Sequence, residues 1–352
     1  MAKTAVVLFN LGGPDGPEAV QPFLFNLFFD PAIIRLPLPL RWLLAKLIST
    51  RRAPVAQEIY REMGGGSPLL PNTEAQAAAL SEALRRKGIA EARVFIAMRY
   101  WHPRARQTAK EVAAYGPDQV ILLPLYPQYS TTTSASSLKE WQREAKAAGV
   151  TAPTRTLCCY PQESGFVDAV VAGLRQALRQ LNQPEAGHEK PPRVLFSAHG
   201  LPKKIVDQGD PYQWQVEQSV AAVVRHLGEV NLDWQVCYQS RVGPLEWIGP
   251  PTDSEIEKAA RDGRPIVVVP IAFVSEHSET LVELDIEYRE LAEKAGAPAY
   301  IRVPTVGTDA PFIDGLASLV AGALDSGRKI CSHAGGRFCP AEWRGCPQNA
   351  AD

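Results

Sequence analysis

The chain has 352 residues, more than a single hydrophobic core usually organises, so two domains are expected. With 45% hydrophobic and 21% charged residues it has an ordinary globular balance, and a net charge of −1 excludes a large basic face for nucleic acid. Met1-Ala2-Lys3-Thr4 leads directly into a strand-like run with no secretory pattern, and no uncharged apolar run reaches the ~18 residues that span a bilayer, so a cytoplasmic location is expected.

In chain order, short apolar runs predict strands over Ala5–Asn10, Arg93–Met98, Gln119–Leu125 and Thr154–Leu157, then over Val194–Ala198, Trp234–Tyr238, Ile266–Ile271 and Ala299–Val303. Between them, helical patterns cover Thr73–Lys87, Ala105–Tyr115, Ser137–Ala148, Ser164–Leu181, Tyr212–His226 and Glu279–Ala295. Such alternation predicts an α/β fold with parallel sheets covered by helices on both faces. The two halves echo each other. Val7–Pro14 (VLFNLGGP) resembles Leu195–Pro202 (LFSAHGLP), and Ile121–Tyr126 (ILLPLY) resembles Val267–Ala272 (VVVPIA). A duplicated unit is expected, with a cleft between two similar domains. The polar segment Asn182–Pro192 marks the boundary, giving an N-terminal domain over 1–185, a C-terminal domain over 186–326 and a tail over 327–352.

Two segments stand outside the alternation. Phe23–Ile48 is rich in Phe, Leu, Ile and Trp but interrupted by Pro31, Pro37 and Pro39; it reads either as a helix pair packed on its own domain or as an apolar lip over a greasy ligand or membrane surface. The tail carries Cys331, Cys339 and Cys346 among scattered glycines and has too little apolar periodicity to build a core alone.

The chemistry concentrates in Val269–Tyr288. An apolar strand runs into Ser275-Glu276-His277-Ser278-Glu279, and a helical segment follows with Glu279, Glu283 and Glu287. Carboxylates at i, i+4 and i+8 share a helix face and repel unless protons or a cation intervene. A solvated helix face is the plainer reading, but Leu281, Val282, Leu284 and Ile286 surround the glutamates. His199 ends the strand at Ser197-Ala198-His199-Gly200, and His277 follows a strand expected in the same sheet. Both imidazoles should then meet at the C-terminal rim, where open α/β sheets bind ligands and where imidazole can accept and pass a proton.

Gly12-Gly13-Pro14-Asp15-Gly16 is not a dinucleotide fingerprint, and Gly64-Gly65-Gly66-Ser67-Pro68 lacks the Lys-Ser/Thr of a P-loop, so both read as tight turns and a nucleotide-dependent reaction is not supported. Arg51-Arg52, Arg99-Tyr100 and Tyr126–Thr131 (YPQYST) are polar or aromatic clusters suited to carboxylate groups. Among six cysteines, Cys237 lies in a strand as a small buried hydrophobe; Cys158-Cys159 and the tail cysteines supply enough thiolates for a [2Fe–2S] cluster or structural zinc, although their spacing matches no tight CxxC motif.

Asn10–Pro14 (NLGGP), Gly64–Pro68, Tyr126–Ser130 (YPQYS), Leu195–Pro202, Gly209–Tyr212 (GDPY), Gln239–Pro250 (QSRVGPLEWIGP) and Pro270–Tyr288 together resemble the ferrochelatase family, over roughly Val6 to Leu324. The resemblance implies two Rossmann-like domains around a porphyrin cleft and insertion of Fe2+ into protoporphyrin IX, the last step of haem biosynthesis. It implies His199 as base or metal donor, Glu279 paired with it at the substrate iron, His277 and Glu276 in the same pocket, and Glu283 and Glu287 along an acidic path. It further implies a porphyrin pocket lined by Arg99, Tyr100, Tyr126, Trp247 and Phe273, propionate contacts from Arg51 and Arg52, and a lip of Phe23, Leu24, Phe28, Leu36, Leu38 and Trp42 that touches the inner-membrane surface. A homodimer is compatible with this resemblance. Animal members place a cluster cysteine after PQYS; Thr131 stands there, so a bacterial-type [2Fe–2S] ligand set of Cys158, Cys331, Cys339 and Cys346 is expected instead, with Cys159 as substitute for Cys158. Coproporphyrin III as substrate, or a tetrapyrrole carrier without catalysis, are the competing readings; the apolar lip favours protoporphyrin, and the His199–Glu279 pair favours catalysis.

Overall fold

The computed structural model describes residues 2–181, 187–241 and 243–348. The predicted boundary segment Asn182–Pro192 thus lies partly outside the described residues. The chain forms two compact units: the described parts of Met1–Cys159, Leu316–Phe338 and Pro347–Asp352 make one, and those of Tyr160–Gly315 and Cys339–Cys346 make the other. This division falls earlier than the polar boundary read from sequence. The reason is helix α6 (Ser164–Leu181), which lies before that boundary yet packs on α8 (Tyr212–Leu227) and β7 (Ile266–Pro270) of the second unit. Nor is the tail a separate piece, since its residues are shared between the two units.

The first unit is built on a parallel sheet in the order β2 (Ala92–Met98), β1 (Thr4–Asn10), β3 (Gln119–Pro124), β4 (Thr154–Leu157) and β9 (Ile330–Cys331). Every residue of β1 is buried, as expected for a central strand covered on both faces. Ala5, Val7 and Phe9 share one face by the two-residue alternation of strands and pack on α4 (Ala105–Tyr115) and α5 (Ser134–Ala147) through Ala109, Val112, Leu138 and Trp141. Strand β9 comes from the cysteine-bearing tail: Cys158 N–H donates to the Cys331 carbonyl at 2.8 Å. The tail needs no core of its own because it docks on an existing sheet edge.

The second unit repeats the plan. Its parallel sheet runs β6 (Asp233–Gln239), β5 (Arg193–His199), β7 and β8 (Tyr300–Arg302). The echoed segments occupy equivalent places: β1 and β5 each sit between two partners, and β3 and β7 are the respective inner neighbours. Apart from the added β9, the strand order is the same in both sheets, which is what a duplicated unit produces.

The Phe23–Ile48 segment splits by role. It contributes α1 (Val20–Phe28) and the start of α2 (Leu38–Glu62). Phe23 and Leu24 are buried with Val20, Ala53, Tyr60 and Tyr100, and Phe28 packs on the same cluster, so these three belong to the core rather than to a lip. Leu36, Leu38 and Trp42 are exposed, along with Leu40, Leu43 and Leu47. No helix among the described residues is long and apolar enough to cross a membrane.

The predicted helix Glu279–Ala295 is two elements. Glu279–Glu287 is a π-helix, closed at its end by Tyr288 N–H donating to the Glu283 carbonyl five residues back, and α10 (Tyr288–Lys294) continues it. Apolar periodicity marks a helix here but cannot separate π from α winding, because the hydrogen-bond register depends on what the segment packs against.

Candidate active site

Parallel pairing sets His199 of β5 opposite Gln239 of β6, and Ser197 opposite Pro270 of β7, so the three strands end on one rim. His199 is held there from behind: Tyr212 Oη donates to its carbonyl at 3.0 Å, and Gly200 N–H donates to the Gln239 carbonyl at 2.8 Å. Residue 200 must be glycine, since a Cβ there would lie 2.8 Å from the Gln239 oxygen and 3.3 Å from the Trp247 ring. The predicted pocket residue Trp247 therefore packs beside His199's own turn. Gly12, at the equivalent rim of the first unit, has φ +84° and leaves no room for a Cβ against the Trp101 amide, which fits the tight turn expected there.

Beyond β7 the chain turns through Ile271–Ser278 into the π-helix, whose first residue meets the rim. Glu279 Oε2 lies 2.7 Å from His199 Nδ1, and Glu279 Oε1 lies 3.8 Å from His277 Nε2. One carboxylate thus stands between both predicted histidines. His277 Nδ1 is 3.2 Å from the Ser275 carbonyl, and the Phe273 ring lies 4.8 Å from the imidazole, so Phe273 does reach this group. Burial favours the neutral form of Glu279, but the charge and hydrogen bond of His199, with His277 adding to them, hold its pKa well below the usual carboxylate range. Burial also opposes charge on His199, yet Glu279 and then Glu283 outweigh it and raise its pKa. An ionised carboxylate has no proton to give, so Nδ1 of His199 is the donor and Nε2 is the nitrogen left to take a proton or a metal. The His199 side chain is 43% exposed, and that nitrogen needs such access.

Glu283 forms the second layer. It accepts from Ser240 N–H at 2.8 Å, Ser240 Oγ at 2.5 Å, Gln239 Nε2 at 3.0 Å and Tyr288 Oη at 3.1 Å. Burial and the neighbouring Glu279 charge nevertheless push its pKa up, against the bonds from Ser240 and Gln239. Ser240 has φ +61°, a left-handed conformation uncommon outside glycine, and it aims both its donors at Glu283. Its hydroxyl is also 3.3 Å from Glu279. Gln239, Ser240, Tyr212 and Tyr288 were not singled out by sequence as functional. The available signal was that Gln239-Ser240 ends a strand of the same sheet as His199.

Other predicted positions fall elsewhere. Glu276 accepts from Arg302 Nη1 at 2.6 Å and from Thr305 N–H at 2.9 Å, which directs it to β8. Glu287 is exposed, so the third member of the i, i+4, i+8 ladder faces solvent. In the first unit, Arg99 is committed to Asp30 at 2.7 Å, Ser136 at 2.8 Å and Glu140 at 3.1 Å, and Tyr100 Oη donates to Asp30 at 2.8 Å. These two tie Asp30, after α1, to β2 and α5. Tyr126 is held by burial as a neutral phenol. Arg51 and Arg52 are exposed on α2, with no ion pair among the described residues.

The four thiols expected to hold a cluster are all buried, and none is in a disulfide. Cys158 and Cys331 belong to the first unit, Cys339 and Cys346 to the second. Cys158 Sγ is 3.5 Å from Cys159 Sγ, Cys331 Sγ is 3.1 Å from Ser326 Oγ, and Cys339 Sγ accepts from Gln215 Nε2 at 3.1 Å. No group of three or more His, Cys, Asp or Glu side chains among the described residues is arranged to hold a metal ion.

The ferrochelatase family model matches residues 3–324. This chain belongs to the ferrochelatase family. Ferrochelatase of Caulobacter vibrioides is 55% identical over 347 residues, covering 98% of this chain and 97% of the relative. That of Phenylobacterium zucineum is 56% identical over 345 residues, with the same coverage. Among solved structures, SirB from Bacillus subtilis with Fe3+ aligns with a TM-score of 0.51 at 15% identity, over 92% of this chain and 96% of that one, and so shows a shared fold.

Proposed function

We propose that this chain inserts Fe2+ into protoporphyrin IX to form protohaem, the last step of haem biosynthesis. The observation that carries the reading is the Glu279 carboxylate held between His199 and His277, with Glu283 behind it, at the C-terminal rim of the second sheet. Membership of the ferrochelatase family supports it.

The reaction replaces two pyrrole N–H protons with one dication, so the site must accept two protons while leaving a path for the metal. His199 Nε2, made more basic by the carboxylate on Nδ1, accepts a proton at the exposed edge of the site. Glu283, whose pKa is raised, takes up and passes on a proton more readily than an ordinary carboxylate would at neutral pH. Glu279, kept ionised, balances positive charge at His199 or at the entering iron. Bending the ring exposes its nitrogens, strain worth ~1–5 kcal/mol drawn from binding elsewhere. Arg51 and Arg52, both exposed, suit the propionates better than Arg99, each of whose nitrogens already donates to Asp30, Ser136 or Glu140.

The exposed Leu36, Leu38, Leu40, Trp42 and Leu43 support protoporphyrin over a more carboxylated ring, and with Arg41 and Lys46 they support contact with an anionic membrane surface. Side-by-side anaerobic turnover tests the substrate. Faster Fe2+ insertion into protoporphyrin IX bears the reading out; turnover of coproporphyrin III alone moves the substrate, and tight binding without insertion makes the chain a carrier. The [2Fe–2S] assignment of Cys158, Cys331, Cys339 and Cys346 is supported by four buried thiols outside any disulfide, and no chemical step depends on it. Acid-labile sulfide and charge-transfer absorption in anaerobically purified protein establish the cluster; their absence leaves four structural cysteines.

A further inference from the structure

A nine-residue π-helix is an uncommon element, and its own hydrogen bonds do not favour it over α winding. Something outside the segment must select it. Its flanks and interior are gripped from one neighbouring strand. Arg302 of β8 is anchored in the sheet opposite Val268, and its side chain is only 8% exposed. Nη1 reaches Glu276 at 2.6 Å, three residues before the π-helix, while Nε donates to Asp285 at 3.0 Å and Nη2 pairs with the same carboxylate. Tyr300, two positions earlier on β8, donates its hydroxyl to the Leu284 carbonyl at 2.6 Å. Thr305 N–H closes the other end by donating to Glu276 at 2.9 Å.

One planar guanidinium therefore spans two carboxylates nine positions apart in sequence. Fixing both ends fixes how the chain between them is wound, and between them lie His277, Glu279 and Glu283. Arginine suits the task because its fork engages one carboxylate through two nitrogens and still offers a third donor; lysine, a point charge, cannot hold both in the same geometry. Because the ion pairs are largely screened from solvent, they hold direction more firmly than surface pairs do.

We infer that Arg302 is the positioning residue that sets the winding of the π-helix and thereby places Glu279 against His199 and Glu283 against Ser240. The inference rests on the proposed chelatase reading for its kinetic consequence, but not for its structural one. Glu276, expected from sequence in the catalytic pocket, is on this account the near anchor of the clamp.

The test uses the full-length protein as wild type, Arg302→Gln, Arg302→Lys, Asp285→Asn and the Arg302→Gln/Asp285→Asn double variant, each checked for folding by thermal melt. In Arg302→Gln the insertion kcat should fall on the order of 10²-fold, as expected for a displaced catalytic group, with the porphyrin KM changed by less than about threefold. Arg302→Lys should recover only part of the loss, and the double variant should be no slower than Arg302→Gln, since both changes remove one clamp. The imidazole nitrogen signals of His199 should lose the signature of an Nδ1–H facing a carboxylate in Arg302→Gln and keep it in wild type. That signature surviving in a folded Arg302→Gln protein, or kcat per folded molecule staying at the wild-type value, overturns the inference. Absence of Fe2+ insertion by wild type would instead defeat the chelatase reading, and the His199 signal would still decide the clamp.

Discussion

At the residue scale, the His199–Glu279 pair carries a pH signature whose direction follows from the two shifts. The His199 pKa is raised on folding, so its contribution to stability is complete below the unfolded imidazole value of about 6.5 and is lost as pH rises through the folded value. Glu279 is lowered, so its contribution is present above the unfolded carboxyl value of about 4.3 and is lost as pH falls through the folded value. The pair therefore stabilises most between about pH 4.3 and 6.5. The difference in Tm between wild type and Glu279→Gln should peak in that window and shrink on the alkaline side; a difference that grows above pH 8 would contradict the pairing. Ser240 gives a second check. Removing its hydroxyl takes a hydrogen bond from a buried carboxylate, worth about 1.5–3 kcal/mol. Ser240→Gly relieves the left-handed backbone but not this loss, so denaturant melts should show net destabilisation. The histidines and glutamates were legible from sequence because strand ends of one sheet converge. Ser240 was missed, because a lone serine hydroxyl at a strand end gives no sign in the sequence that it meets a buried carboxylate.

At the scale of elements, the segment from Phe23 to Ile48 separates two physical roles that composition merges. Apolar content alone cannot say which residues turn inward, and the prolines that interrupt the pattern hide the helix faces. The structure assigns Phe23 to the α1–α2 core at 4% exposure and Trp42 to solvent at 47%. Phe23→Ala should cost about 3–5 kcal/mol in unfolding free energy. Trp42→Ser should change stability by no more than about 0.5 kcal/mol, yet reduce sedimentation with vesicles containing anionic lipid. Equal vesicle binding by wild type and Trp42→Ser would remove the membrane role of this face. The π-helix teaches the same lesson from the other side. Its glutamate spacing promised a three-member ladder, but Glu279 and Glu283 meet partners on the rim while Glu287 faces solvent.

For the whole molecule, the repeated motifs in the two halves foretold a duplicated unit with parallel sheets, and local strand signals were enough for that. The true division of the chain was hidden, because α6 and the tail owe their places to long-range packing and strand addition, which no local pattern encodes. The cysteines show the same limit: residue type suggested a four-thiolate site, while no group of three or more metal-ligating side chains is found among the described residues.

The central claim is that a histidine–carboxylate pair at the rim of the second sheet removes pyrrole protons as iron enters. Its most direct test is single-turnover Fe2+ insertion into prebound protoporphyrin IX, under anaerobic conditions, by wild type, His199→Ala and Glu279→Gln. Each variant should bind porphyrin as wild type does and insert iron more slowly by about 10²- to 10⁴-fold, the usual worth of a positioned acid–base group. Insertion at the wild-type rate by either folded variant would contradict the account.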